Sequence, residues 1–194
     1  ATARLEAAPT TPIPPAAARR PLPVVTPAEG ARKGRVGLLV GCIQRHLLPE
    51  INRATVRVLS AAGYEVVNPP EQGCCGAVHT HTGKLEEGKR LARDLIGVFE
   101  TAGVDLVVSN AAGCGAQMRD YGHLLAGDVR WAARAAAFSG NVRDVSELLA
   151  DHRWNGRLRP VAMRVTYHDA CHLAHAQQIR EEPRALLRDI PGLA

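Results

Sequence analysis

The sequence predicts an α/β fold of strand–helix units around a small parallel sheet, and three observations carry that prediction. Short apolar runs of strand length alternate with longer stretches of helical periodicity. The runs are apolar throughout rather than alternating, as in strands covered on both faces. The first three runs also end in glycine, proline or asparagine, and cysteines follow at these turns.

Residues 1–34 come first and read as a linker. Pro9, Pro12, Pro14, Pro15, Pro21, Pro23 and Pro27 stand among alanine and arginine with little apolar periodicity, a composition that runs extended and tethers domains. A chain that opens on a linker reads as the middle of a longer one. Arg35-Val-Gly-Leu-Leu-Val-Gly41 is the first predicted strand, and Cys42 sits at its tip. From Pro49, the residues Ile51, Thr55, Val58, Leu59 and Ala62 recur at helical spacing, with Pro49 suited to the first turn and Gly63 to the C-terminal cap.

Tyr64 to Val67 is a second strand, leading through Pro69-Pro70 to Gln72-Gly73-Cys74-Cys75-Gly76. A helical stripe of Leu91, Leu95, Val98, Phe99 and Ala102 follows and is closed by Gly103. Asp105 to Ser109 is a third strand, ending in Asn110-Ala-Ala-Gly-Cys114-Gly115. Trp131 to Leu149 reads as Ala-rich and helical, with Asp144 or Ser146 to start its last turns. Arg164 to Tyr167 is a fourth predicted strand, leading into His168-Asp-Ala-Cys171-His and a short helix interrupted before Pro183. The domains are therefore drawn as a linker, 1–34, a first repeat, 35–160, and the start of a second, truncated repeat, 161–194. Laying Arg35-Val36 on Arg164-Val165 brings Cys42 onto Cys171, whereas the counterpart of the cysteine pair would fall beyond Ala194.

Composition narrows the function classes. A chain of 194 residues, 46% of them apolar, can fill a core. The net charge of +5 is concentrated in residues 1–35, where Arg4, Arg19, Arg20, Arg32, Lys33 and Arg35 outnumber Glu6 and Glu29. With 4% aromatics and no charge stripe on the body, the chain is poorly equipped to bind nucleic acid. No apolar run approaches the roughly 20 residues of a transmembrane helix, and no signal peptide is recognisable. The expected location is cytoplasmic, with peripheral docking at the inner membrane through partners.

Five cysteines in a chain without a secretory signal favour metal or redox chemistry over a disulfide framework. Adjacent cysteines such as Cys74 and Cys75 are poor disulfide partners, because joining neighbours strains both the peptide and the sulfur geometry. Flanking glycines let backbone N–H groups approach sulfur closely. Three strand ends carrying Cys42, Cys74/Cys75 and Cys114 would bring four thiols to one edge of a parallel sheet, where open α/β sheets place ligands.

Zinc is the rival metal, although zinc sites usually draw ligands from short Cys-x2-4-Cys knuckles that are absent here. A nucleophilic cysteine at 114 or 171 would leave the vicinal pair unexplained. No strand ends in Gly-x-Gly-x-x-Gly, which argues against a dinucleotide site. His168, His172 and His175 with Asp169 would share one face of a helix as a metal site, or line a subunit contact with Asp169 as a helix cap. His79 and His81 lie close in sequence to the cysteine pair, in reach of hydrogen bonds to its sulfurs.

Gly41-Cys-Ile-Gln44, Glu71-Gln-Gly-Cys-Cys-Gly-Ala77, Asn110-Ala-Ala-Gly-Cys-Gly115 and Tyr167-His-Asp-Ala-Cys-His-Leu-Ala-His175 together resemble the cysteine-rich CCG domain family. This family includes heterodisulfide reductase subunits and the iron–sulfur subunits of glycolate and lactate oxidising complexes, and these segments most resemble the glycolate oxidase type. The resemblance implies a Rossmann-like repeat with cysteines at strand ends, and Cys42, Cys74, Cys75 and Cys114 as ligands of an iron–sulfur cluster, of [4Fe–4S] type. It implies that Cys171 is the opening metal ligand of a second repeat. It further implies an electron-transfer role without a substrate-binding catalytic site, with FAD held only by flavin-containing dehydrogenase partners and a membrane quinone or another acceptor taking the electrons. Gln117 departs from the family's Cys-x-x-Cys ending, leaving four ligands in the first repeat. The alternative function is a zinc-binding or metal-free assembly module of such a complex.

Overall fold

The computed structural model describes residues 14–15, 20–154 and 156–194. Five strands form one sheet in the order β1-β3-β2-β4-β5, where β1 is Val25–Thr26, β2 Gly34–Leu39, β3 Tyr64–Val67, β4 Leu106–Ser109 and β5 Val142–Asp144. All neighbours run parallel except β1, which pairs antiparallel with β3 through Val25 opposite Val67. This is the α/β architecture the sequence predicts.

The helices are α1 (Gln44–Leu47), α2 (Pro49–Ala61), α3 (Ala77–His81), α4 (Leu85–Ala102), α5 (Ala112–Arg119), α6 (Tyr121–Leu124), α7 (Ala132–Gly140), α8 (Val145–Ala150) and α9 (Glu181–Arg188). A single π turn spans His172–Ala176. Among the described residues no helix is long and apolar enough to cross a membrane.

Pleating sends alternate strand residues to two cores. Leu39 and Val107 join Leu95, Ile96, Phe99, Met118, Tyr121 and Phe138 on one face. Val36, Leu38, Val66 and Val108 join Val56, Leu59 and Leu149 on the other. Strands buried on both sides explain why their sequences are apolar throughout. Pro49 opens α2, and Gly103 caps α4 with φ +62°, both at the positions the sequence predicts.

Several expectations are corrected. Residues 1–13 and 16–19 of the expected linker lie outside the described residues, but its later part does more than connect, since Val25–Thr26 extends the sheet. On α2, Ile51 is exposed while Asn52 is buried, so the inward face is turned by one residue at its start. The stretch Trp131 to Leu149 is not one helix, because Val142–Asp144 pairs with Val107–Ser109 as strand β5. Asp144 then starts α8 with a capping box, accepting from the Ser146 amide while the Glu147 carboxylate accepts from the Asp144 amide.

The fourth predicted strand, Arg164 to Tyr167, does not form. The segment pairs with neither outer strand of the sheet, β1 or β5. Instead Met163 bridges to Leu193, and the Val165 amide donates to the Ala194 carbonyl at 2.7 Å. Pro183 does not end a helix. It lies in the first turn of α9, where its missing N–H costs no hydrogen bond.

Candidate thiol centre at the strand ends

β3, β2 and β4 are consecutive neighbours in the sheet, so their C-terminal ends deliver three loops to one edge. The β2 loop carries Cys42 just after Gly41, whose φ of +69° turns the chain away from the strand. The β3 loop carries Cys74 and Cys75 into Gly76, which at φ +82° starts α3. A side chain at position 76 would also press on the Gly88 carbonyl at 3.3 Å. The β4 loop leads directly into α5, and Cys114 sits in its first turn, at the positive end of the helix.

The four thiols meet as two pairs. The sulfur of Cys42 lies 3.4 Å from that of Cys74, and the Gly76 amide donates to the same Cys74 sulfur at 3.4 Å. Cys75, 4% exposed, shares a thiol hydrogen bond with Cys114. That bond, reinforced by burial, pushes the Cys75 thiol far up, and the same bond lowers Cys114. Burial, then contact with Cys74, raises Cys42.

A set of polar side chains locks the three loops together. Gln72, buried between the strand ends, accepts from the Val40 amide at 2.8 Å and donates to the Leu38 carbonyl at 3.1 Å. Arg45 donates to the carbonyls of Gly41 at 3.2 Å and Gln72 at 2.9 Å, clamping the Cys42 loop to the Cys74 loop. Asn52 holds the Val40 carbonyl, and Gln44 bridges Asn52 to Asn110 at the end of β4. Tyr121 donates to the Cys75 carbonyl. Gln117 accepts from the Thr80 hydroxyl at 2.7 Å and so ties α5 to α3.

The remaining candidates are not gathered here. Cys171 is exposed and takes no part in the contacts among the four thiols. Asp169 caps no helix, because both its oxygens are held by the Arg184 guanidinium at 2.8 and 2.7 Å, which lowers its pKa. His172 packs its ring against His81, and His175 Nδ1 faces Arg180. His79 carries a buried Nδ1 without a partner. Among the described residues, no group of three or more His, Cys, Asp or Glu side chains is arranged to hold a single metal ion.

The donor set, four cysteines with a backbone amide aimed at sulfur, fits a thiolate-held iron–sulfur cluster. The sequence indicates the thiols through their spacing. It gives no role to Gln72, Arg45, Asn52 or Tyr121, whose contacts span the loops, and the only hint is that polar residues stand where core would be expected.

Residues 36–119 and 165–194 match the model of the cysteine-rich domain family, CCG. The two matched segments open at Val36 and Val165, the same offset that lays Cys42 on Cys171. The chain is 42% identical over 173 residues to the probable glycolate oxidase iron-sulfur subunit of Bacillus subtilis, covering 88% of this chain and 39% of that protein. It is 38% identical over 162 residues to a fumarate reductase (CoM/CoB) subunit of Methanothermobacter marburgensis, covering 82% of this chain and 30% of that protein. It is 36% identical over 162 residues to the glycolate oxidase iron-sulfur subunit of Escherichia coli, covering 80% of this chain and 39% of that protein. The chain thus spans well under half the length of each of these relatives.

Proposed function

Since this chain belongs to the cysteine-rich CCG domain family, we propose that it is the electron-transfer part of an iron–sulfur subunit in a complex oxidising glycolate or a similar 2-hydroxy acid. The observation that carries this reading is the meeting of Cys42, Cys74, Cys75 and Cys114 at the ends of three adjacent parallel strands. These four would hold a cluster of [4Fe–4S] type, for which four thiolates suffice. When bound, the cluster supplies a one-electron redox couple.

The chain's own residues would supply the setting. The Gly76 amide, pointed at the Cys74 sulfur, stabilises negative charge there. Burial around Cys75 and Tyr121 keeps water from one side of the centre. Oxidation at carbon would belong to a flavin-bearing partner holding FAD, with electrons leaving toward a quinone at the inner membrane and the complex on its cytoplasmic face. Cys171 would open the ligand set of a second repeat.

The test is anaerobic purification with iron, acid-labile sulfide and zinc quantified, and EPR spectra before and after dithionite. Iron and sulfide in equal amounts, with a signal that responds to reduction, is the expected result. Stoichiometric zinc without sulfide would replace this reading with an assembly module.

A further inference from the structure

The pairing of the thiols carries a consequence for the protein when it holds no cluster. Cys42 and Cys74 stand at the tips of the neighbouring strands β2 and β3, with their sulfurs 3.4 Å apart. Their loops are fixed to one another by Gln72 and by the Arg45 clamp on the Gly41 and Gln72 carbonyls. A disulfide has a sulfur separation of about 2.05 Å, so closure asks the two sulfurs to approach by little more than about 1 Å. Held pairs of this kind react as if at very high local concentration.

We propose that Cys42 and Cys74 are a specific covalent crosslinking site of the cluster-free protein, closed by a small disulfide oxidant such as glutathione disulfide. One thiolate attacks the oxidant, breaking its S–S bond and releasing one reduced thiol. The second cysteine then displaces the other half from the mixed disulfide. Two cysteine S–H bonds are lost, one Cys42–Cys74 bond forms, and two molecules of reduced thiol leave with the protons and electrons.

The other pairings are disfavoured by what surrounds them. Cys74 and Cys75 are adjacent, and a bridge between neighbours is strained. In the pair of Cys75 with Cys114 only Cys114 is open to an oxidant, because Cys75 is buried, whereas Cys42 and Cys74 are both partly exposed and their sulfurs are 3.4 Å apart. Cys171 is exposed and has no sulfur contact of the kind that joins Cys42 to Cys74. Closure would consume two thiols of the strand-end centre and bar metal from it until a reductant reopens the bond.

The experiment takes the full chain, stripped of metal and reduced, and exposes it anaerobically to glutathione disulfide before alkylation and peptide mapping by mass spectrometry. The expected product is a single internal crosslink between Cys42 and Cys74, reversed by dithiothreitol. Cys75→Ser should keep that crosslink and Cys74→Ser should lose it. A Cys74–Cys75 bridge, a scrambled mixture, or glutathione left on the cysteines without any crosslink would overturn the proposal. Iron and sulfide uptake is then measured on the crosslinked and reopened forms. Uptake by the crosslinked form equal to that of the reduced form would refute the blocking role. Absence of uptake by the reduced form would count against the cluster and leave the crosslink standing.

Discussion

The phenol of Tyr121 donates a 2.7 Å hydrogen bond to the carbonyl oxygen of Cys75 across 46 residues of sequence, and the tyrosine is fully buried. The bond satisfies a backbone carbonyl inside the core. It also fixes the peptide that follows the two adjacent cysteines. Tyr121→Phe keeps the ring packed against Phe138, 5.6 Å away between centroids, and removes only the donor. The Cys75 carbonyl is then stranded, and the loss should be about 1–3 kcal/mol in urea denaturation. Iron content per chain should fall with it. Unchanged stability would show that water reaches this carbonyl.

Gln72 plays the corresponding part between β2 and β3. Beyond Val67 the third strand leaves the sheet, and the Gln72 side chain takes over its pairing by accepting from Val40 and donating to Leu38. Gln72→Leu retains bulk but leaves a buried donor and a buried acceptor, so a destabilisation of about 2 kcal/mol or more follows. Because the Cys74 loop loses its anchor, crosslinking to Cys42 should also slow. A variant with normal stability and normal crosslinking would remove Gln72 from the scaffold.

These two residues mark the limit of what the sequence makes legible. The strands β2, β3 and β4, the long helices α2 and α4, and the thiols at the strand ends can be read because each signal is local: an apolar run, a period of 3.6, a cysteine beside glycine. Val142–Asp144 could not be separated from its Ala-rich surroundings, since only pairing with β4 makes it a strand. Arg164 to Tyr167 has a good strand composition, yet the backbone here bonds to the C-terminal residues, Val165 to Ala194, and not to the sheet. The contacts of Arg45, Gln72 and Tyr121 bridge 27 to 46 residues and exist only once the sheet has brought the loops together.

Asp144 gives a pH prediction. Burial raises its pKa despite the hydrogen bonds from Ser146. In the unfolded chain the group titrates near 3.9, so between that value and its higher folded value the native state binds more protons. Its contribution to stability is complete below about pH 4 and is lost as pH rises through the folded pKa. Asp144→Asn retains an acceptor for the Ser146 amide and removes the titration. Urea midpoints of the parent should therefore fall relative to the variant as pH is raised from about 4 to about 7. Parallel profiles would show that the carboxyl titrates alike in both states.

Gly37 and Gly97 predict opposite outcomes for the same substitution. A Cβ at Gly37, within β2, would lie 2.7 Å from two ring carbons of Phe99 and 3.2 Å from a Val104 methyl. The ring belongs to a filled core and cannot withdraw without displacing its neighbours. Gly37→Ala should cost about 1–3 kcal/mol through overpacking. Gly97 lies inside α4 and meets nothing within 4 Å. There alanine limits the unfolded chain and suits the helix, so Gly97→Ala should stabilise by up to about 1 kcal/mol. Neither change touches a thiol, and iron content per folded chain should stay constant in both. If Gly37→Ala proved neutral, the close approach of β2 to α4 that sets the Cys42 loop over the cysteine pair would be looser than the packing of Phe99 implies.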